Sequence, residues 1–318
     1  MEKCTIQIHK KDHIQEPATI EGIQWETSIS GEPAKLIFTV IKDDVLAFRE
    51  GDKVTFTYGK NLVFSGFVFE KTRDKNHHIQ VTCFDGTFFL KNKENYAFTG
   101  VRADQIVKRI AEDMGLNVGH LSNTGYVIPK LAASDQSLFD TIQMALDETM
   151  YATRNQYILF DNFGLLELRY AGEMITDLLI TYDTAENFDY TSTIADGTYN
   201  SVVVKDKDGK TVVLNNKPKQ EQFGVLQLVL DNQNGGNALE NAKAALASRA
   251  EPSRTFSVNG VFGDVRVRAG SSVYVYLYLG DHTCNQSLLV TRATHTFNNG
   301  HHSMELTLMD GGLYYATE

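Results

Sequence analysis

From Lys3 to about Phe89, apolar and polar residues alternate with period two. Ile6 and Ile8 stand against Thr5 and Gln7, followed by Leu36/Phe38/Val40, Val54/Phe56/Tyr58 and Ile79/Val81/Cys83. Successive side chains on a strand point to opposite faces, so this pattern predicts an antiparallel sheet or barrel. Turn residues punctuate it at Ser30-Gly31-Glu32-Pro33, Glu50-Gly51-Asp52, Tyr58-Gly59-Lys60-Asn61 and Asp74-Lys75-Asn76, close to the short spacing of all-β domains. A first β-barrel is expected over residues 1–95.

The period then changes. Ala103, Ile106, Val107, Ile110, Ala111 and Met114 fall on one helical face, with Gly115 as the stop. A second amphipathic helix is expected with Ser134 as N-cap, Asp135 in the first turn, and Leu138, Phe139, Ile142, Ala145 and Leu146 as its buried stripe. Between the helices, Gly125-Tyr126-Val127-Ile128-Pro129 reads as a short edge strand or an extended link. Tyr157–Phe160, the turn Asp161-Asn162-Phe163-Gly164 and Leu165–Leu168 read as a hairpin. Residues 96–180 thus form a small α+β domain.

Alternation returns at Tyr199–Lys205, and Asp208-Gly209 before Thr211-Val212-Val213-Leu214 predicts a second hairpin, since its turn needs residues tolerant of positive φ. A third helix is expected from Ala238 to about Ala250, with Asn237 as N-cap and Glu240 completing a capping box. Strands resume at Thr255–Val258 and continue through Val273–Leu279, Ser287–Thr291 and Met304–Met309. The expected fold is mainly β with α+β insertions. Its second barrel, residues 181–215 and 251–318, resembles the first and is interrupted by a helical insertion over 216–250.

One internal similarity carries more than any single motif. Arg49-Glu50-Gly51-Asp52-Lys53-Val54 and Arg268-Ala269-Gly270-Ser271-Ser272-Val273 share the pattern R-x-G-x-x-V, and each precedes an alternating strand. Downstream of each come a histidine pair, a strand and an Asp-Gly: His77-His78, Val81-Thr82 and Asp85-Gly86, then His301-His302, Leu306-Thr307 and Asp310-Gly311. Two copies of one barrel type would account for this order, and three such chains in a ring would present six similar barrels.

Composition narrows the function classes. The chain has 318 residues, enough for about two domains, and 42% of them are hydrophobic and 22% charged, as in soluble globular proteins. Apolar runs such as Leu62–Phe69 and Val273–Leu279 are far shorter than the ~18 residues of a membrane-spanning helix. Met1-Glu2-Lys3-Cys4-Thr5-Ile6 alternates where a secretory signal would carry a basic patch and an apolar block, so synthesis in a cytoplasm without export is expected. Forty acidic against thirty basic residues give a net charge of -10, opposite in sign to a phosphate-gripping surface, and stable nucleic-acid binding is not expected. Cys4, Cys83 and Cys284 are too scattered for a disulfide framework or a C-x-x-C metal site.

No cofactor, metal or catalytic residue is assigned. The adjacent histidines of each pair point to opposite faces, so both pairs read as solvated turn or strand residues, and His295 reads as structural. Glu112, Asp113, Asp147 and Glu148 fall on the polar flanks of their helices and read as solvated faces rather than a hydrolase pair. Gly235-Gly236 before the third helix lacks the preceding strand of a nucleotide-binding loop. Tyr274, Tyr276 and Tyr278 alternate with Val273, Val275, Leu277 and Leu279, giving one strand an aliphatic face and a tyrosine face. A barrel core on one side and an oligomer or tube interface on the other would satisfy both, and so would a covering by the third helix of the same chain.

Several strings together resemble the baseplate hub proteins of contractile phage tails, in particular the PBSX-type prophage hubs related to the late-control protein D group. They are Ala103–Val107, Gly125–Pro129, Ser134–Asp140, Asn200–Val204, Val267–Val273 and His295–Met304, and they span nearly the whole chain. The resemblance implies two barrel domains, the second interrupted, and a homotrimer whose six barrels imitate a sixfold tail tube. It implies a non-enzymatic adaptor within a virion or phage-tail-like particle, assembled in the bacterial cytoplasm. Its neighbours would be the tail tube or a tube-initiator protein, the trimeric spike, the tape-measure protein and the baseplate wedge, with no membrane contact. Some relatives carry a fused hydrolase or spike; here the chain ends at Glu318, soon after the second barrel, and none is expected. Other readings are a cell-wall hydrolase or carbohydrate-binding protein with β-barrel modules, and a secretion-system spike, against which the lack of a long repetitive tail after Met309 counts. A lumen lined by acidic residues would pass DNA or tape-measure protein without adhesion.

Overall fold

A computed structural model describes residues 2–206, 209–232, 237–278, 283–298 and 300–310. Asp208, Gly235-Gly236, Leu279, Asn299 and Gly311, all used in the sequence reading, lie outside the described residues. The protein is mainly β, with α+β segments set between and beside the strands.

Among the described residues, most strands belong to one 13-stranded sheet. In its N-terminal part, Ile23–Ser28, Lys35–Ile41, His78–Phe84, Asn61–Arg73, Lys53–Tyr58 and Cys4–His9 are neighbours in that order. Their alternate side chains, among them Ile8, Leu36, Phe38, Val54, Phe56 and Val81, fill one core. In the C-terminal part the order is Asn187–Thr193, Ser253–Phe262, His301–Asp310, Thr283–Asn298, Ser272–Tyr278 and Ile175–Ile180, around a second core that includes Val258, Val273, Val275, Leu277 and Leu306. The two parts are joined because Thr283–Asn298 is long enough to pair first with Ser272–Tyr278 and then, over Arg292–Phe297, with Ile23–Ser28. Among the described residues the sheet stays open and closes no ring.

The middle of the chain packs α1 (Ala103–Asp113) and α2 (Leu138–Thr153) around Ile106, Ile110, Ile142 and Leu146, together with Leu131 and Leu168 from two small sheets. The α1 stripe is the one read from the sequence, and Gly115 takes φ +65° as the helix stops. The start of α2 differs from expectation. Asp135 takes φ +57°, outside the helix, and the N-cap is Ser137, whose Oγ accepts from the Asp140 N–H while the Asp140 carboxylate accepts from the Ser137 N–H.

The hairpin Ser201–Asp206 with Thr211–Asn215 forms as expected, but it adds no strand to the large sheet. It takes Gln227–Asn232 as a parallel partner and is covered by α4 (Ala238–Arg249) through Val202, Val204, Ala242 and Ala245. A short helix, α3 (Lys217–Phe223), precedes that strand, with Asn216 as N-cap and Pro218 in its first turn. The region read as a helical insertion therefore also contributes a strand. Asn237 caps α4 as expected, whereas the Glu240 carboxylate turns to Lys243, 2.9 Å away, instead of reaching back to the cap.

Candidate functional site

Two turns of identical hydrogen bonding start the matching strands of the two sheet halves. At the first, the Gly51 N–H donates to the Val68 carbonyl, the Val68 N–H donates to Asp52 O, and the Asp52 N–H donates to Arg49 O. At the second, the Gly270 N–H donates to Val290 O, the Val290 N–H to Ser271 O, and the Ser271 N–H to Arg268 O. Each turn is closed by a side-chain acceptor for the arginine N–H, Asp52 Oδ2 at 2.8 Å and Ser271 Oγ at 3.1 Å. Gly51 and Gly270 take φ +86° and +93°, a conformation that favours glycine. Both long strands then carry a bulge at the same place, between Val68 and Glu70 and between Val290 and Arg292. Five strands of each half share one order, while the sixth runs antiparallel to its neighbour in the first half and parallel in the second; over those five strands these features show the internal duplication in three dimensions.

The register corrects one detail. Val68 pairs Cys83 and Val290 pairs Leu308, while Glu70 pairs Thr82 and Arg292 pairs Thr307. Counting back from Thr82 and Thr307, His302 matches His77, so the histidine pairs are offset by one residue. They also differ in environment. His78 bonds Asp74 at the surface, whereas His302 points inward and is buried, contrary to the solvated reading.

His302 belongs to the seam between the halves. Its ring stacks on Phe297 with centroids 4.1 Å apart and lies 2.9 Å from His295, whose ring sits 4.7 Å from that of Trp25 on the facing strand. His295 Nε2 lies 2.9 Å from the Val267 carbonyl, which can only accept, so this nitrogen carries the proton. His295 Nδ1 is then an acceptor, and His302 Nε2–H donates to it. Burial holds both rings neutral, lowering His295 to about 3 and His302 to about 4. Room for His302 comes from Gly263, where a Cβ would lie 2.0 Å from the imidazole Cγ.

A second junction ties the middle of the chain to both halves. Arg268 is enclosed, its guanidinium lying over the Phe160 ring at 3.9 Å and its Nη1 donating to Asp161 O at 3.4 Å. The Asp85 and Asp161 carboxylates act on its charge. Burial and the neighbouring Asp161 push Asp85 up to about 7; burial likewise raises Asp161 and lowers Arg268 to about 10. Asp85 Oδ1 accepts from the Thr87 N–H at 3.1 Å, and Gly86 lets the backbone approach Asp161, since a Cβ there would lie 2.7 Å from Oδ2.

The tyrosine strand has the expected two faces. Val273, Val275 and Leu277 are buried in the second core, while Tyr274, Tyr276 and Tyr278 are 43%, 55% and 57% exposed. The covering helix considered from sequence packs elsewhere, on the small sheet. Ile175 and Leu179 of the adjacent edge strand extend the same exposed face.

A groove of about 530 Å³ runs beside α2, lined by Ile29, Phe139, Asp140, Asp147, Met150 and Tyr157. Its carboxylates are engaged, Asp140 with Ser137 and Asp147 with Gln143 at 2.7 Å. Asp147 and Glu148 are half-buried rather than solvated, and burial raises both, Glu148 to about 7. The three cysteines form no disulfide, no group of three His, Cys, Asp or Glu side chains could hold a metal ion, and no helix is long and apolar enough to cross a membrane, all among the described residues.

The same architecture recurs in known proteins. The chain is 27% identical over 305 residues to the phage-like element PBSX protein XkdQ of Bacillus subtilis, with 93% of each chain covered. A 43 kDa tail protein of prophage MuSo2 from Shewanella oneidensis superposes with a TM-score of 0.72 at 12% identity, over 98% of this chain and 99% of that one. An E. coli type VI secretion system component, described as structurally similar to bacteriophage tail proteins, superposes at 0.59 and 8% identity, over 96% and 76%. The family described as YQBQ-like matches residues 23–309, nearly the whole of the joined sheet, and the chain belongs to that family.

Proposed function

We propose that this protein is a structural component of a contractile phage tail or a related particle, and that within it the chain is the baseplate hub. Three copies would form a ring of pseudo-sixfold symmetry that joins the hexameric tail tube to a trimeric spike. The observation that carries this reading is the duplication: two sheet halves with one order over five strands, one turn geometry and one bulge, fused side by side. A threefold and a sixfold object share equivalent contacts only through a ring whose three chains each offer two similar faces. The naming of XkdQ as a phage-like element protein, and of the structural neighbours as tail or secretion components, supports the same role.

The face of the joined sheet turned away from both cores suits a channel wall. Across the seam it presents Gln24, Glu26, Thr294, Thr296, Glu305 and Thr307, with Lys35 ion-paired to Glu26 and Arg292 ion-paired to Glu32. Both of these bases are neutralised by a carboxylate, so polymer passing such a wall would meet little net positive charge at the seam. The tyrosine face, with Ile175 and Leu179, is the proposed contact with a neighbouring chain or the tube. Light scattering of the purified chain tests the ring: a mass of three chains is expected, and a single-chain mass at every concentration overturns it.

A further inference from the structure

The R-x-G-x-x-V turn occurs twice, but its arginine meets two different surroundings. Arg49 is exposed, whereas the Phe160 ring and the Asp161 carbonyl close over Arg268. A guanidinium carries five N–H donors and no acceptor, and each donor taken from water needs another partner. Nη1 of Arg268 has the Asp161 carbonyl, but Nε is buried and no acceptor of the described residues reaches it.

Beside Arg268 is a cavity of about 20 Å³, lined also by Thr27, Ala34, Asp85, Thr87 and Ala269. One water molecule needs ~10 to 15 Å³ of such room and two to four polar partners, so the space suits a single water and excludes a phosphate or a larger group. The lining supplies the partners. Asp85 Oδ1 accepts from both the N–H and the hydroxyl of Thr87, and Oδ2 takes no donor among the described residues. Thr27 Oγ1 accepts from the Ala269 N–H at 2.9 Å, which leaves its own hydrogen to donate.

We propose that this cavity binds one water molecule as a fixed part of the fold, accepting from Arg268 Nε–H and exchanging one hydrogen bond with Asp85 Oδ2 and one with the Thr27 hydroxyl. Charge favours a neutral occupant, since Arg268 repels a cation and the carboxylates of Asp85 and Asp161 repel an anion. Water also suits a carboxyl that titrates inside the fold, as Asp85 does near pH 7, because it accepts from the acid and donates to the carboxylate. Thr27 and Asp85 belong to the first sheet half and Arg268 to the second, so the two halves share this one molecule.

The test begins with crystals of the full chain and refinement of their ordered solvent. A peak is expected within about 3.2 Å of both Arg268 Nε and an Asp85 carboxyl oxygen. An empty cavity, or a water on Nε that lies out of reach of Asp85, overturns the proposal. Oxygen-17 magnetic relaxation dispersion checks it in solution by counting waters held far longer than those at the surface. Asp85→Leu with Arg268→Met replaces the two facing polar groups by apolar side chains, an exchange that buried ion pairs commonly tolerate. This double variant is expected to hold one long-lived water fewer than the parent, and equal counts overturn the proposal. The crystal measurement uses the unaltered chain, so it decides even where the double variant does not fold.

Discussion

His302 donates to His295 across 2.9 Å, and the pair closes the seam where the two sheet halves meet. Both rings titrate below their ordinary value of 6.5, to about 4 and about 3, because burial disfavours the charged form. The unfolded chain binds protons near pH 6.5 that the folded chain refuses, so stability is intact above that pH and falls as acid is added. At pH 4.5 the loss is about 2 to 3 kcal/mol per histidine, from ~1.4 kcal/mol per pH unit. His302→Gln is expected to melt lower than the parent at pH 7 and to lose about half as much on acidification to pH 4.5. Parallel melting curves for the two proteins would refute this.

Asp85 works in the opposite direction. Its carboxyl, 3% exposed, is raised from 3.8 to about 7, so the folded chain holds a proton that the unfolded chain releases, and stability declines as pH rises through that interval. The upper bound is about 4 kcal/mol for a shift of ~3 units, a shift that already includes the opposing pull of Arg268. Asp85→Asn keeps an oxygen for the Thr87 N–H and removes the titration. Denaturant unfolding at pH 5 and pH 8 should show the variant gaining at least ~1 kcal/mol on the parent over that range. An equal decline in both would count against the assignment.

Gly51 and Gly270 share one turn but not one neighbourhood. No atom lies within 4 Å of a Cβ built on Gly51, whereas on Gly270 it would lie 2.5 Å from Ile158 Cγ2. Gly51→Ala should therefore cost only the left-handed backbone, about 1 to 2 kcal/mol. Gly270→Ala adds overpacking of about 1 to 3 kcal/mol. Thermal denaturation of the two variants ranks them, and equal losses would show that Ile158 yields freely.

Tyr276 is more than half exposed, so Tyr276→Ser should move folding stability by no more than about 0.5 kcal/mol. If the tyrosine face meets a neighbour, the same change lowers incorporation of the chain into particles. Immunoblots of purified particles, beside melting curves of the isolated protein, check both halves of the expectation. Unchanged incorporation removes this face from the interface.

Much of the fold was legible because strand alternation and helical stripes are local signals. The period-two runs around Phe38, Phe56 and Val275 mark strands whose alternate residues are buried, and R-x-G-x-x-V marked both turns of the duplication. Pairing over long separations has no such signal. Nothing near Ile175 indicates that it runs parallel to Ser272, or that the hairpin beginning at Ser201 would choose Gln227 as its partner. The capping box at Ser137 and Asp140 was readable, and the neighbouring Ser134-Asp135 competed for the same role. At the junctions, sequence reading fails for a physical reason. Arg268 and His302 are polar residues in turn or strand contexts that ordinarily face water, and only docking of distant elements encloses them.

The strand Thr283–Asn298 is shared by both halves, its first part laced to Ser272–Tyr278 and its second to Ile23–Ser28. A pull along its axis therefore meets the rungs of both ladders side by side, all strained together, instead of peeling them one after another. Tension applied to one half therefore reaches the other through one continuous backbone, bent only at the bulge between Val290 and Arg292.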